Sequence, residues 1–178
     1  WFEEHGSGKE IYVFNSRSAS VGETLIALKI QECEEAGMEF EEVVRTVEAY
    51  IEGQHTYFVL ETLETLRKNG RLKGIKSLMA SALNIKPVMG STPQGTICQL
   101  GQARGIRKAL EKMIDEIVRG VKKPEEKVLA ISHCNCPERA KKVKELLLER
   151  IRPKDVIVLD TAGISSMYAA DGGIIVVV

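Results

Sequence analysis

Two arginines in this sequence have the type and the position to hold an anion. Arg71 follows an Asn-Gly pair where a short helical stretch ends, and Arg104 precedes Gly105 where a long amphipathic helix is predicted to begin. A guanidinium at the end of a helix or strand can project into a cleft and bind a carboxylate or phosphate with paired hydrogen bonds. Arg104 also opposes the dipole of its predicted helix, which makes it poorly placed for stability alone. A solvated arginine beside a helix end is the alternative interpretation of Arg71.

A long glycine-ended connection later in the sequence supplies hydroxyl groups. Ser165, Ser166 and Tyr168 lie together within it, and three hydroxyls in one place suit an uncharged wall around an oxygen-rich head group. Asp171 is interpreted as a turn residue of the same connection, because a second carboxylate would repel an anionic ligand. The alternative is that the segment only joins two strands.

The segment 133–136 (His-Cys-Asn-Cys) holds three potential metal ligands in four residues. The sequence offers no second pair of ligands to complete a tetrahedral site, and Cys-x-Cys differs from the Cys-x-x-Cys redox motif. We therefore expect no metal, and we interpret the segment as a loop between a strand and a helix.

Composition and charge exclude several classes of function. The chain has 178 residues, of which 44% are apolar and 28% charged, as is ordinary for a soluble globular protein. Lys and Arg number 25, as do Asp and Glu, and this balance argues against a nucleic-acid binder. No apolar run approaches the ~20 residues that span a bilayer, and no signal peptide is visible. The four cysteines show no framework spacing, which indicates reduced thiols and predicts a cytoplasmic protein.

Residues 1–54 form a first block of predicted elements. A strand over 10–15 precedes helices over 21–36 and 38–52, each closed by a glycine, and Ser20 stands where it could cap the first helix. The block is too small to bury its own faces. We therefore expect it to be the C-terminal part of a first α/β/α domain whose start lies upstream of Trp1.

Residues 55–178 form the second block, which predicts a two-layer α/β domain with a mixed sheet. Six strands are predicted at 56–60, 85–89, 96–100, 127–132, 155–160 and 174–178, with helices at 61–68, 74–83, 105–118 and 137–150. The two strands within 85–100 are joined as a hairpin, so the sheet cannot be all-parallel. The small-residue helix over 74–83 suits the lining of an apolar tunnel about as well as ordinary close packing.

The order of these elements and four local motifs resemble the DegV family of bacterial fatty-acid-binding proteins. The motifs are residues 58–74 (FVLETLETLRKNGRLKG), 83–90 (LNIKPVMG), 101–110 (GQARGIRKAL) and 160–174 (DTAGISSMYAADGGI), while residues 11–36 resemble the end of the family's first domain. The resemblance implies a two-domain fold with a long-chain fatty acid between the domains. The acyl tail would lie in an apolar tunnel, and the carboxylate would face polar groups.

The resemblance also implies roles for particular residues. Arg71 and Arg104 match arginines associated with the head group or with presentation to a fatty acid kinase, for which some members are the binding subunit. Tyr168 stands where the family commonly has histidine, and a neutral phenol can donate a hydrogen bond without carrying charge near neutral pH. The family's early Ser/Thr-rich head-group motifs are expected upstream of Trp1.

We therefore expect a non-catalytic carrier of a long-chain fatty acid that needs no cofactor and does not insert into membranes. The alternative is an α/β enzyme that acts on a phosphorylated small molecule through Arg71 and Arg104. Such an enzyme would need a base or nucleophile near those arginines, and the sequence contains no matched Asp/His/Ser or Cys/His set.

Overall fold

The computed structural model describes residues 5, 6, 8–72 and 84–178. The helices among them are α1 (Val21–Glu35), α2 (Phe40–Glu52), α3 (Glu64–Lys68), α4 (Ile106–Gly120), α5 (Pro137–Leu148) and α6 (Gly163–Ala169), with a short 3₁₀ turn at Pro124–Glu126. The strands are β1 (Thr56–Val59), β2 (Ile85–Ser91), β3 (Ile97–Arg104), β4 (Val128–His133), β5 (Asp155–Asp160) and β6 (Ile174–Val177).

The six strands form one mixed sheet, as the sequence predicted. Their order is β3-β2-β1-β6-β4-β5. Only β4 and β5 run parallel to each other, and every other neighbouring pair is antiparallel. The predicted fold class is therefore confirmed.

Side chains alternate between the two faces of the sheet, as the period of a strand requires. On one face, the inner strands contribute Tyr57, Val59, Val88, Leu129, Ile131, Ile174 and Val176 to the largest core. Helices α4 and α5 cover this face with the buried residues Ala109, Leu110, Met113, Ile114, Ile117, Ala140, Val143 and Leu147. Their recurrence at helical spacing gives each helix one apolar stripe, which explains why both helices pack on the sheet.

The opposite face of the sheet carries two separate apolar clusters. Near α1, Val21 and Leu25 pack against Ala130 and Val177. Near α3 and α6, the cluster consists of Phe58, Leu60, Leu66, Met89 and Ala169. The two clusters sit on the same face with different helices above them, Ile175 packs against both, and a cavity opens beside them. That cavity is the candidate site.

Residues 10–15 form no strand, so that prediction was wrong. They have no regular secondary structure and are largely exposed, with Val13 84% exposed. No described strand pairs with them, and without a neighbouring backbone an apolar, β-branched run has no ladder to join.

Three further local predictions need correction. Ser20 occupies the N-cap position of α1 but makes no capping hydrogen bond. The motif at 101–105 is not a turn, because Gly101–Arg104 continue β3 opposite Ile85–Val88, and only Gly105, at φ +82°, turns the chain into α4. The connection at 163–169 is the helix α6. The predicted helix over 74–83 lies outside the described residues, and the division at residue 54 stays a prediction.

Candidate functional site

A cavity of about 660 Å³ lies on the α1 side of the sheet, beside the two apolar clusters. Its volume falls within the ~300–1,000 Å³ typical of small-molecule sites. An apolar floor is formed by side chains of β1, β3, β6, α3 and α6, namely Phe58, Leu60, Leu66, Ile97, Ala169 and Ile175. Phe58 and Ile175 are paired neighbours in the sheet, so the centre of this floor is part of the sheet itself.

A polar wall borders this floor and consists of Arg17, Ser18, Ser20, Glu23, Thr56, Ser91 and Thr96. It combines the turn before α1 and the first turn of that helix with the start of β1 and the β2–β3 hairpin. Hydrogen bonds connect these parts, since Ser18 Oγ lies 2.8 Å from Thr56 Oγ1 and the backbone N–H of Thr56 donates to Ser91 Oγ at 3.4 Å. The wall therefore presents several hydroxyls, the guanidinium of Arg17 and the carboxylate of Glu23 at the edge of an apolar floor, and Glu23 accepts a hydrogen bond from Ser16 Oγ at 3.2 Å.

The turn before α1 has an unusual backbone. Arg17 and Ser20 both have positive φ, at 48° and 57°, which is uncommon for residues other than glycine and tends to mark functional sites. Two glycines make room for it. A Cβ on Gly22 would lie 2.0 Å from Ser18 Oγ, and a Cβ on Gly95 would lie 2.7 Å from Arg17 Cα. The close approach at Gly95 seats the tip of the β2–β3 hairpin against the turn.

Another side of the cavity is lined by Arg71, which follows α3, and by three residues of α6, namely Ile164, Ser165 and Tyr168. Arg71 is exposed and donates through Nη1 to the carbonyl oxygen of Asn69 at 3.0 Å. Ser165 and Tyr168 are partly buried on α6, and Tyr168 also packs against the cluster around Phe58. The structure thus brings Arg71, Ser165 and Tyr168 together, while their role in binding stays a prediction.

Arg104 and Ser166, the other two predicted site residues, do not line the cavity. Arg104 is exposed at the far end of β3, about 23 Å from the floor residue Ile97 at the usual rise of a strand. Ser166 is on α6, but its hydroxyl bonds Thr161 Oγ1 at 2.8 Å. The enzyme alternative required Arg71 and Arg104 at one site, and the structure does not join them in this cavity.

The sequence analysis missed the polar wall. Ser20 was predicted only as a cap of the first helix, and the early Ser/Thr-rich head-group motifs were expected upstream of Trp1. The available signal was the alternation of three serines with Arg17 directly before a helix that has glycine at its second position, Gly22. Positive φ at Arg17 and Ser20 left no trace in the sequence, because neither is a residue type that marks a left-handed turn.

Electrostatic contacts fix the connection between β1 and α3, which carries Leu60 of the floor and leads to Leu66 in α3. Glu61 receives Lys86 Nζ at 2.8 Å and Arg139 Nη2 at 2.9 Å on its two carboxylate oxygens. Arg139 Nη1 also donates to the carbonyl oxygen of Gly172. Burial raises the pKa of Glu61, but the hydrogen bonds from Lys86 and Arg139 outweigh it and hold the pKa below its usual value.

The segment 133–136 connects β4 to α5 and lies outside the cavity lining. The thiol of Cys134 points to the carbonyl oxygen of Ser166 at 3.9 Å, and that of Cys136 to Gly173 at 3.6 Å. Burial raises the pKa of Cys136, which disfavours the thiolate that a metal or a nucleophilic role requires. Within the described ranges, no group of three or more His, Cys, Asp or Glu side chains is arranged to hold a metal ion.

Among the described residues, no helix combines the length and the apolar character needed to cross a bilayer.

Solved structures resemble this chain over nearly its whole length. A DegV family protein from Ruminococcus gnavus with vaccenic acid is 67% identical, with a TM-score of 0.95 over 99% of this chain and 63% of that one. A DegV family protein from Eubacterium eligens loaded with heptadecanoic acid is 28% identical, with a TM-score of 0.86 and the same coverage. The fatty acid kinase (Fak) B3 protein of Streptococcus pneumoniae loaded with linoleic acid is 31% identical, with a TM-score of 0.86 over 99% of this chain and 62% of that one.

Comparison with curated sequences identifies the same group of proteins as the structural comparison. A DegV domain-containing protein of Streptococcus pneumoniae is 32% identical over 175 residues, which are 98% of this chain and 61% of the relative. The chain therefore spans about three fifths of the length of the curated relatives that it matches. A family model described as "Uncharacterised protein, DegV family" matches residues 2–178. With a family model that spans almost every residue and relatives above 30% identity, the chain belongs to the DegV family.

Proposed function

We propose that this chain is the greater part of a carrier that binds a long-chain fatty acid in the cavity described above. The observation that carries the proposal is the composition of its walls. An apolar floor suits an acyl chain, and a border of hydroxyls with two guanidiniums, Arg17 and Arg71, against one carboxylate, Glu23, suits an anionic head group. The fatty acids in the R. gnavus, E. eligens and S. pneumoniae relatives support this choice of ligand.

The two regions of the cavity contribute in different ways. Burial of an acyl chain on the floor stabilises the complex by about 0.8 kcal/mol per methylene group, so the tail supplies most of the affinity. A charge-assisted hydrogen bond to the carboxylate adds about 1.5–3 kcal/mol and selects the acid over neutral lipids. Arg17, Arg71, Ser165 and Tyr168 are the proposed donors, together with the serines and threonines of the polar wall.

The carrier is proposed to be non-catalytic and cytoplasmic, and to present its ligand to a fatty acid kinase. Kinase presentation is supported by the name of the S. pneumoniae relative. Arg104, exposed and away from the cavity, is assigned to contact with that kinase and not to the head group. Four free cysteines support a reducing compartment.

The test is to identify the ligand in the full-length natural protein. Organic extraction followed by mass spectrometry is expected to yield about one long-chain fatty acid per protein. Ile97→Trp, which fills the floor, is expected to abolish this yield. Leu100→Trp is the matched control, because Leu100 is exposed on the same strand and does not line the cavity. Extracts free of fatty acid, or equal yields from the two variants, would overturn the proposal.

A further inference from the structure

Ser132 on β4 is a buried polar residue in an apolar setting. It is 2% exposed, and in the sheet it pairs with Ile175 of the cavity floor, although it does not itself line the cavity. Ala130, two residues before it in the strand, packs on the same face against Val21 and Leu25. A buried hydroxyl needs a hydrogen-bond partner, and Ser132 Oγ finds one in Ser20 Oγ at 3.1 Å.

Ser20 is held in a backbone conformation that it would not adopt on its own. Its φ of 57° and ψ of −128° lie outside the regions preferred by residues with a side chain. A serine at an N-cap normally uses its oxygen to accept from the first turn of the helix, yet Ser20 makes no such bond. The hydroxyl is directed to Ser132 instead, and Ser20 lines the cavity.

The number of hydrogen bonds that a hydroxyl can donate and accept bears on which of the two serines is the donor. A serine hydroxyl donates one hydrogen bond and accepts up to two. If Ser132 donates to Ser20, the proton of Ser20 is free for an acceptor in the cavity. Hydroxyls in such a chain polarise one another and strengthen the final bond. An anion beside Ser20 favours this arrangement, because only then does every proton in the chain point towards the negative charge.

We propose that Ser132 is a positioning residue that orients the hydroxyl of Ser20 as a donor to the carboxylate of the bound ligand. The inference rests on the proposed function, since it requires an anionic head group beside the polar wall. It adds a residue from outside the cavity to the determinants of specificity for an acid over a neutral lipid. Ser132 acts through Ser20 and does not touch the ligand.

The experiment measures the affinity of the full-length protein, stripped of lipid, for oleic acid and for methyl oleate by displacement of a fluorescent fatty acid. Ser132→Ala is expected to weaken oleate binding about fivefold to tenfold and to change methyl oleate binding less than twofold. Ser132→Thr retains the hydroxyl and is expected to restore oleate affinity. Ser20→Ala should reproduce the loss, and the double variant should lose no more than either single one.

The outcomes separate the two proposals. Wild-type protein that binds neither ligand would overturn the proposed function, and the role of Ser132 with it. Wild-type protein that binds oleate while Ser132→Ala leaves its affinity unchanged would overturn the role of Ser132 alone. Equal losses for the acid and the ester would do the same, because they indicate a structural role. Should Ser132→Ala fail to fold, Ser132→Cys, whose thiol is a weak donor, takes its place with the same expected selectivity loss.

Discussion

Ser18 Oγ lies 2.8 Å from Thr56 Oγ1, and this contact holds the turn before α1 against the first strand of the sheet. The Ser18 side chain reaches Thr56 only because Gly22 has no Cβ, which would lie 2.0 Å from Ser18 Oγ. Two segments distant in sequence therefore meet at the polar wall through one pair of hydroxyls and one glycine.

Gly22→Ala is expected to destabilise the protein by about 1–3 kcal/mol, the usual cost of overpacking, and to weaken fatty-acid binding because Ser18 must move. The direction of the change in stability is informative, because alanine in a helix is otherwise more stable than glycine by up to about 1 kcal/mol. Chemical denaturation and ligand titration measure the two effects. Gly53→Ala is the control, because its nearest neighbour would be 3.6 Å away. A Gly22→Ala protein as stable as wild type would contradict the steric argument.

Arg71→Ala is expected to weaken fatty-acid binding by about 1–2 kcal/mol, or roughly fivefold to thirtyfold, through loss of a charge-assisted hydrogen bond at a solvent-exposed site. Thermal stability should not change, because Arg71 is exposed. Arg107→Ala provides the comparison, since Arg107 is also exposed, pairs with Glu111 at 3.4 Å and lies outside the cavity lining. Similar affinities for both variants would remove Arg71 from the head-group site.

Arg104→Ala is expected to leave fatty-acid affinity within about twofold of wild type, because Arg104 lies at the far end of β3 from the cavity and a surface charge at that distance is largely screened. Turnover in an assay coupled to the cognate fatty acid kinase should fall. Parallel titration and kinase measurements on one preparation separate the two effects. A loss of affinity as large as that of Arg71→Ala would place Arg104 at the ligand after all.

Tyr168→Phe is expected to weaken carboxylate binding by about 0.5–1.5 kcal/mol, the net value of one hydrogen bond, because Tyr168 lines the cavity. Tyr168→His should make binding depend on pH. The imidazole gains a proton as the pH falls through about 6.5, so affinity for the carboxylate should rise in that direction, whereas the Phe variant should show no such step. Titrations from pH 5.5 to 8 test both. Unchanged affinity in Tyr168→Phe would mean that the hydroxyl only faces water.

Glu61→Gln is expected to destabilise the protein by about 1–2 kcal/mol near pH 7, because it breaks a partly buried network with Lys86 and Arg139. The folded-state pKa of Glu61 is lowered, so the ionised form contributes stability above the unfolded pKa of about 4.3. That contribution is lost as the pH falls through the lower folded-state value. Denaturation at several pH values should therefore show the difference from wild type shrinking in acid. A difference that does not vary with pH would contradict this assignment.

The sequence predicted those parts of the fold that depend on local periodicity. The apolar stripe of α4, from Ala109 to Ile117, marked its helix correctly because it recurs with the helical period. The continuous apolar run at 128–131 marked β4, which is buried on both faces of the sheet. The strand predicted at 10–15 failed, since its existence depends on a partner strand and not on its own residues. Helix α6 was missed because it has only seven residues, from Gly163 to Ala169. So short a segment contains too few apolar residues to show the helical period.

The candidate site was only half predictable. Arg71, Ser165 and Tyr168 lie within motifs that can be recognised locally in the sequence, and they meet at the cavity. The polar wall depends on contacts between residues far apart in sequence, such as Ser20 with Ser132, which no local pattern encodes. Arg104 illustrates the opposite error. Its position at the end of an element was identified, but the continuation of β3 carries it away from the cavity.

The pairing of Phe58 with Ile175 in the cavity floor has a kinetic consequence. Strand β1 lies between β2 and β6, and β6 in turn separates it from β4. The floor therefore cannot close until residues near 175 have returned to residues near 58, which requires closure of a loop of more than one hundred residues. Such non-local pairings form slowly, because the entropy of loop closure must be overcome before the contacts contribute. A chain still emerging from the ribosome, with β6 not yet exposed, would have helices and a hairpin but only part of the cavity floor.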